Sequence, residues 1–336
     1  MNSGKSTPTR KDVAQLAGVS VTVVSYVLNN NRYVAQDKRE KVLQAVKELH
    51  YRPNTVARAL KGKKSNHILF IADNISNEHF GKIVEEMDRL AYAKGYLISL
   101  LADRNDEEFV AQVNSRLVDG IVISSASFEE KYVLELIATG VPVVLLMNRE
   151  YSKVNNSAGK IYTGLRQGTE ECVKFLAAQG RRNILYIDRV SRHNRFSTLS
   201  DLRYRGFCEQ MQKCGFPVGE STVISGYSSE EALAEGLRER IRGGLKVDGI
   251  VGRNDNLACV AMAAVQDCGL QVPHDVSVIG FDNSRLSSYV RPPLTSMEID
   301  RAGIAEAIIT MLDDQIAGKP PVTRRFNTRL ILREST

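Results

Sequence analysis

Eight short apolar runs alternate with polar and amphipathic stretches from His67 onward, and this alternation limits the fold more than any other feature of the sequence. The first four are HILFIA (67–72), YLISLLA (96–102), DGIVISS (119–125) and VPVVLLM (141–147). The second four are NILYID (183–188), TVIS (222–225), DGIVG (248–252) and VSVIGFD (276–282). Parallel strands buried on both faces have this character and are joined by helices. The two series therefore predict two doubly wound parallel-sheet α/β subdomains with a cleft between them.

The segment before these runs predicts a separate, all-helical unit. In RKDVAQLAGVSVTVVSYVLNN, an apolar stripe at helical spacing consists of Val13, Ala14, Leu16 and Ala17. Gly18 permits a sharp turn, and Ser20 is a suitable N-cap for a second helix over 21–28. A third amphipathic helix begins near Gln36. The pattern predicts a helix-turn-helix inside a three-helix domain, with an unrelated helical hairpin as the alternative.

Positive charge is concentrated in this helical unit. Residues 1–64 hold 13 Lys and Arg against four Asp and Glu, although the whole chain has a net charge of only +6. The remainder is therefore mildly acidic. A basic unit joined to an acidic body is typical of a module that binds a polyanion such as nucleic acid, with a solvated charged surface as the alternative.

The sequence lacks the signatures of several classes of protein. No run approaches the roughly 18 apolar residues that a membrane helix needs, and the start of the chain is polar, so we expect a cytoplasmic protein and no membrane. The five cysteines include no C-x-x-C pair, which predicts reduced thiols. The motifs G-x-S-x-G, H-E-x-x-H and a strand-linked G-x-G-x-x-G do not occur, so we expect no catalysis, cofactor or metal.

RKDVAQLAGVS…VSYVLN followed by YRPNTVARAL closely resembles the head of the LacI/GalR (lactose-repressor/galactose-repressor) family of bacterial transcription regulators. The resemblance continues through the whole chain. It implies that the second helix lies in the DNA major groove, with contacts from Ser20, Val21, Thr22, Ser25, Tyr26 and Asn29. It also implies a hinge helix in the minor groove, with contacts from Asn54, Val56, Ala57, Arg58 and Leu60, the last at the position of the kinking wedge. The implied partners are a second copy of the chain and double-stranded DNA with an inverted-repeat operator.

The same resemblance implies a body like a periplasmic sugar-binding protein, whose chain crosses between subdomains three times, near 163, 295 and 327. The resemblance implies four domains along the chain. They are a flexible N-terminus (1–9), a DNA-binding domain (10–52), a hinge helix and linker (53–65) and an effector-binding and dimerisation domain (66–336). Within the last, the N-subdomain takes about 66–162 and 296–326, and the C-subdomain takes about 163–295 and 327–336.

Ligands of open α/β sheets bind beyond the carboxyl ends of the strands. Four residues there match family effector contacts, namely Phe80, Arg203, Asn254 and Asp282. The full predicted set is Asp73, Phe80, Arg149, Arg189, Arg203, Arg253, Asn254, Asp255, Phe281 and Asp282. Carboxylates, amides, guanidinium groups and an aromatic face suit a sugar-like effector. As the alternative, Asp and Asn at strand ends often only cap turns and helices.

The chain also departs from the family pattern. Gly164-Leu165 stands before RQG in place of a common Asp-Asn pair, and Arg189 and Arg253 stand where small residues are usual. Arg189 and Arg253 predict an anionic effector such as a sugar phosphate. A cationic cleft is predicted from six arginines, with solvated loop charges as the alternative for the third and fourth: Arg149, Arg189, Arg192, Arg195, Arg203 and Arg253. Internal pairing with Asp282, Asp255 and Asp73 is the alternative.

Together these features predict a repressor of a catabolic or metabolic operon, controlled by a small effector. A regulator controlled by a partner protein and a free-standing sugar-binding protein are the other hypotheses.

Overall fold

The computed structural model describes residues 8–30, 32–52, 64–191 and 194–336. The chain divides between Ser65 and Asn66 into two compact units. Residues 1–7 of the predicted flexible N-terminus and residues 53–63 of the predicted hinge helix lie outside the described part.

Three helices make up the described part of the first unit: α1 (Arg10–Ala17), α2 (Val21–Asn29) and α3 (Gln36–Glu48). Helix α1 begins with a capping box, in which Thr9 Oγ1 accepts from the Asp12 N–H at 3.4 Å and the Asp12 carboxylate accepts from the Thr9 N–H at 2.7 Å. Gly18 ends α1 with φ +62°, and Ser20 Oγ accepts from the Val23 N–H at 3.3 Å. The predicted turn and cap thus start α2.

The core of this unit is small and aliphatic. Its buried residues are Val13, Ala14, Ala17, Val24, Val27, Val42, Ala45 and Tyr51. Leu16 was predicted in the inward stripe, but it is 47% exposed, because positions 13, 14 and 17 fill the contact with the other two helices. Among the described residues, no single helix is long and apolar enough to span a membrane. Helices α1 and α2 pass that test only as a pair, by length and composition, and they meet at 104°.

The first sheet of the body is parallel throughout. Its order is β11-β5-β4-β3-β1-β2, with strands β1 (His67–Ala72), β2 (Leu97–Ala102), β3 (Gly120–Ser124), β4 (Val143–Leu146), β5 (Gly159–Tyr162) and β11 (Thr323–Arg325). The connecting helices of this subdomain are α4 (Glu78–Tyr92), α5 (Glu107–Asn114) and α6 (Glu130–Ala138). A later helix, α12 (Arg301–Ile316), packs against α4. Strands β3 and β4 are buried along their whole length, as their apolar runs predict.

The second sheet has the order β12-β10-β9-β8-β6-β7. Its strands are β6 (Ile184–Ile187), β7 (Val223–Ile224), β8 (Gly249–Gly252), β9 (Ser277–Phe281), β10 (Thr295–Ile299) and β12 (Thr328–Ile331). The helices of this subdomain are α7 (Leu165–Ala178), α8 (Leu202–Lys213), α9 (Glu230–Arg242), α10 (Asp255–Asp267) and α11 (Arg285–Tyr289). The pairing is parallel except that β12 runs antiparallel to β10 at one edge, so the predicted doubly wound parallel sheet is confirmed apart from this edge strand.

The chain passes between the sheets three times, after β5, after β10 and between β11 and β12. The second crossing falls after Ile299 rather than near residue 295, because β10 is hydrogen-bonded to β9 and β12. Residues 296–299 therefore belong with the second subdomain and not with the first. At the first crossing Gly164 has φ +79°, and a Cβ there would lie 2.8 Å from the backbone nitrogen of Thr328. Two of the crossing segments thus touch where only glycine fits.

Candidate DNA-binding and effector-binding sites

Helix α2 carries the predicted base-contacting residues on one face. At 100° per residue that face consists of Val21, Thr22, Ser25, Tyr26 and Asn29. The buried Val24 and Val27 lie on the opposite face, which holds α2 on the rest of the unit. Val21 is 41% exposed although it is apolar, so its side chain is available for contact.

One contact on this face has no sequence signature. The guanidinium carbon of Arg32 lies 5.2 Å from the centre of the Tyr26 ring, within cation–π range. Beside it, Asn29 Nδ2 donates to Ser25 Oγ at 3.2 Å. Arg32 follows α2 in a loop, and only the folded path of that loop brings it to Tyr26. The predicted hinge residues Asn54, Val56, Ala57, Arg58 and Leu60 lie outside the described residues.

A cleft of about 990 Å³ lies at the carboxyl ends of the strands of both sheets. Eight of the ten predicted effector residues line it: Asp73, Phe80, Arg189, Arg203, Arg253, Asn254, Asp255 and Asp282. The structure therefore brings together residues separated by more than 200 positions in sequence. One of them already has a structural task, since Asn254 Oδ1 caps α10 by accepting from the Leu257 N–H at 2.9 Å.

Arg149 and Phe281 do not line the cleft. Phe281 is 1% exposed, because its ring lies beneath the Arg203 guanidinium, whose carbon is 4.6 Å from the ring centre. Arg149 turns toward Tyr151, with its guanidinium carbon 5.3 Å from that ring. Both residues support the walls of the cleft and are not exposed in it.

The predicted effector set does not name several other lining residues, among them His79, Asp103, Arg104, Asn105, Glu230 and Leu286. A signal was present for the middle three, because the run YLISLLA (96–102) is followed directly by DRN. The rule that ligands bind beyond strand ends applies there as it does after β1. Residues supplied by helix starts, such as Glu230, carry no comparable signal.

Arg203 and Asp282 form a buried ion pair across the floor of the cleft, with Nη2 and Oδ1 3.1 Å apart. Asp282 has φ +103°, a strained conformation for a residue other than glycine, and such strain is typical of functional sites. His79 Nδ1 lies 3.8 Å from the same Asp282 oxygen and has no hydrogen-bond partner. Burial lowers the pKa of His79 to about 4 despite the nearby carboxylate, so the ring is neutral at pH 7.

Arg189 and Arg253 share one carboxylate. The Nη2 atom of each lies 2.7 Å from Oδ2 of Asp201. Asp188 lies 3.9 Å from Arg253 Nη1 and accepts hydrogen bonds from the Ser197 N–H at 2.9 Å and from Ser197 Oγ at 2.6 Å. The two arginines are thus paired internally, but with Asp201 and Asp188 and not with the carboxylates expected from the sequence. The described lining also has more acidic residues than arginines, which contradicts the prediction of a cationic cleft.

Asp255 is buried beside the Arg203–Asp282 pair. Its carboxylate accepts from the Ser284 N–H and from Ser296 Oγ, each at 2.5 Å. Burial, followed by the charge of Asp282, raises the pKa of Asp255 to about 7. Within the described residues, no group of three or more His, Cys, Asp or Glu side chains is arranged to hold a metal ion.

Comparison with known proteins identifies the family to which this architecture belongs. The model for bacterial regulatory proteins of the lacI family matches residues 9–54, and the model for a periplasmic binding protein-like domain matches residues 173–336. The HTH-type transcriptional repressor PurR of Pectobacterium carotovorum subsp. carotovorum (strain PC1) is 30% identical, over 93% of this chain and 91% of its own. The chain belongs to the LacI family.

Two further similarities extend over nearly the whole of this LacI-family chain. PurR of Histophilus somni (strain 129Pt) is 29% identical over 97% of this chain and 98% of its own. The structure of the lac repressor dimer bound to operator and the anti-inducer ONPF has a TM-score of 0.84 and 25% identity, and the match covers 98% of this chain and 99% of that one. This LacI-family chain is a DNA-binding transcriptional repressor with a ligand-binding body, and not an enzyme.

Proposed function

We propose that two copies of this chain bind an inverted-repeat operator, with α2 of each copy in the major groove of one half-site. The observation that carries this proposal is the face of α2 formed by Val21, Thr22, Ser25, Tyr26 and Asn29, opposite the buried side of the helix. Ser20 and Gly18 fix the start of that helix. The lac repressor, a structural relative, is a dimer on its operator.

The hinge residues complete the proposed DNA contact. By resemblance to the family, Asn54, Val56, Ala57 and Arg58 contact the minor groove and Leu60 inserts between base pairs at the centre of the operator. Unstacking a base step costs a few kcal/mol, which is recovered through the contacts that a bent operator permits. Leu60→Ser is therefore expected to weaken operator binding and to reduce the DNA bend.

The operator contacts are tested by selecting bound DNA from a random pool. Tyr26 offers one hydroxyl and a ring, which suit a thymine methyl or a single polar contact better than the two acceptors of guanine. Tyr26→Phe is expected to relax base preference at one position of each half-site. Tyr51→Phe makes the same chemical change at a buried residue and serves as the control. An unchanged preference in Tyr26→Phe, with losses confined to Val21 and Thr22 variants, would remove Tyr26 from the base contacts.

We further propose that the cleft binds a sugar-like effector of the operon's own metabolic pathway. Arg203 and Asp282 supply a donor and an acceptor on the cleft floor, and Phe80 supplies an aromatic surface beside them. The neutral His79 adds a ring nitrogen without a partner. Hydroxyl groups of a polyol satisfy such a mixed set of donors and acceptors.

A neutral sugar fits the pairing in the cleft better than an anionic one. Asp201 and Asp282 already accept from Arg189, Arg253 and Arg203, so an anion would have to displace these carboxylates. A sugar phosphate is the second candidate, because Nε of Arg189 and of Arg203 is buried without a hydrogen-bond partner. Each of these donors could be satisfied by an anionic oxygen.

Calorimetric titration of the full chain with matched neutral and phosphorylated sugars, at low and high salt, separates these candidates. Tighter binding of the neutral member at both salt concentrations supports the neutral effector. Binding of the phosphorylated member that weakens steeply with salt supports the anionic effector. Asp282→Asn is expected to abolish either response, and Asp300→Asn, which alters a capping carboxylate on α12, is the control. If no small molecule binds, a partner protein becomes the better hypothesis for the effector.

A further inference from the structure

Asp201, which the predicted effector set does not name, uses its two carboxylate oxygens for different tasks. It is 2% exposed and stands immediately before α8. Its Oδ1 caps that helix by accepting from the Arg203 N–H at 3.0 Å and the Tyr204 N–H at 3.2 Å. Its Oδ2 accepts from Arg189 and Arg253. One oxygen therefore serves the helix, and the other serves two side chains that line the cleft.

The backbone at Asp201 pairs with the other subdomain. Arg149 and Asp201 form an antiparallel bridge. The Glu150 N–H donates to the Ser200 carbonyl at 2.8 Å, and the Leu202 N–H donates to the Asn148 carbonyl at 3.0 Å. We define this pairing of residues 148–150 with residues 200–202 as the cross-subdomain strap. Residues 148–150 follow β4 of the first sheet, and residues 200–202 lead into α8 of the second subdomain, so the strap joins the two walls directly.

We propose that Asp201 is a positioning residue of the effector cleft. Its carboxylate holds Arg189 and Arg253, which follow β6 and β8, and this anchoring keeps residues 200–202 in the strap. The anionic effector named above as the second candidate would compete for either arginine, loosen the strap and change the separation of the two walls, whereas a neutral sugar would leave the strap paired. This regulatory role rests on the proposed function of the cleft as the effector site.

Charge is the property of Asp201 that this role requires. Two guanidinium groups held against one oxygen repel each other, and a negative charge on that oxygen offsets the repulsion. Burial alone would raise the pKa of Asp201, but Arg253 and Arg189 lower it to about 2. Asparagine keeps an oxygen for the helix cap and places an NH₂ donor against the two guanidinium groups. Asp201→Asn therefore separates the capping task from the anchoring task.

The test is hydrogen exchange, followed by mass spectrometry, of the full chain without added ligand or DNA. In Asp201→Asn the peptides that contain the Glu150 and Leu202 amides are expected to exchange roughly tenfold faster or more, because the strap opens locally. Asp300→Asn is the matched control, since Asp300 caps α12 through the Gly303 N–H at 2.9 Å. Exchange at the strap in this control is expected to equal that of the wild type.

A second variant provides for the case in which Asp201→Asn does not fold. Arg189→Gln removes one anchor and leaves both the cap and the Arg253 pair, so a smaller rise in strap exchange is expected. Wild-type exchange at the strap in the folded variants, or an equal rise in Asp300→Asn, would overturn the proposal. Because neither ligand nor DNA is present, this result is independent of the proposed function. Likewise, a failed effector titration would not change the conclusion drawn from hydrogen exchange at the strap.

Discussion

Asp255→Asn is expected to make the protein more stable at pH 8 and to leave its stability nearly unchanged at pH 4. The pKa of Asp255 is raised to about 7 by burial and by Asp282, so at pH 4 the folded protein holds a neutral carboxyl there. Asparagine is neutral and has nearly the same shape. Its oxygen can accept from the Ser284 N–H, and its NH₂ can donate to the Ser296 hydroxyl, which rotates to accept.

The magnitude follows from proton linkage. In the unfolded chain the carboxyl ionises near its ordinary pKa of 3.8, whereas in the folded protein it ionises near 7. Between these values folding takes up a proton, so stability falls as the pH rises, and the loss is complete above pH 7. Each unit of difference corresponds to about 1.4 kcal/mol. Because the charge of Asp282 contributes to this shift, we expect the variant to gain about 2–4 kcal/mol at pH 8.

Differential scanning calorimetry at pH 5, 6, 7 and 8 measures the effect, and the gain in melting temperature at pH 8 is expected to be roughly 5–10 °C. Asp201→Asn is an informative control because its shift has the opposite sign. The pKa of Asp201 is lowered to about 2, so its charge stabilises the protein fully above pH 4 and ceases to do so as the pH falls toward 2. That variant should be less stable by a constant amount from pH 5 to 8. A constant difference for Asp255→Asn over the same range would refute the argument.

Two glycine substitutions test the packing that positions the cleft. Gly206→Ala would place a Cβ 2.4 Å from the Arg166 carbonyl oxygen where α7 and α8 pack, and is expected to cost about 1–3 kcal/mol in urea unfolding. Gly81→Ala, on α4 with no atom within 4 Å, should instead be neutral or stabilising, and an equal loss in both would contradict the packing argument. Gly164→Ala should lower the melting temperature more than Gly180→Ala. Both positions have positive φ, but only Gly164 faces backbone at 2.8 Å. Equal losses would show that backbone strain alone accounts for the effect.

The sequence predicted those parts of the fold that local patterns determine. Gly18 and Ser20 specify a turn and a cap within a few residues, and strands β3, β4, β8 and β9 are mainly apolar and buried along their whole length. Strands β10, β11 and β12 were not predicted, because TSMEI, TRR and TRLI carry polar or charged residues. They become strands by pairing with neighbours distant in sequence. The position of the second crossing, after Ile299, was missed for the same reason.

In the candidate site, too, local sequence patterns predicted some residues, and long-range contacts determine the others. The strand-end rule placed eight residues in the cleft, because the ends of parallel strands meet at one edge of each sheet. The partners of the cleft arginines could not be predicted. Asp201 reaches Arg189 and Arg253 through the path of the loop that follows β6. The lowered pKa of His79 likewise depends on burial among side chains from both subdomains.

The crossing of the chain between β11 and β12 has a consequence for synthesis on the ribosome. Each sheet receives its last strand from residues 323–331. Until that segment has been made, β5 and β10 each have one edge without a partner strand. At about 5–20 residues per second, β5 waits roughly 10–30 seconds for β11. Exposed strand edges recruit other chains into aggregates. During translation the body therefore exposes the edges of β5 and β10, which the complete chain covers, and a chain that ends before residue 323 lacks one strand of each sheet.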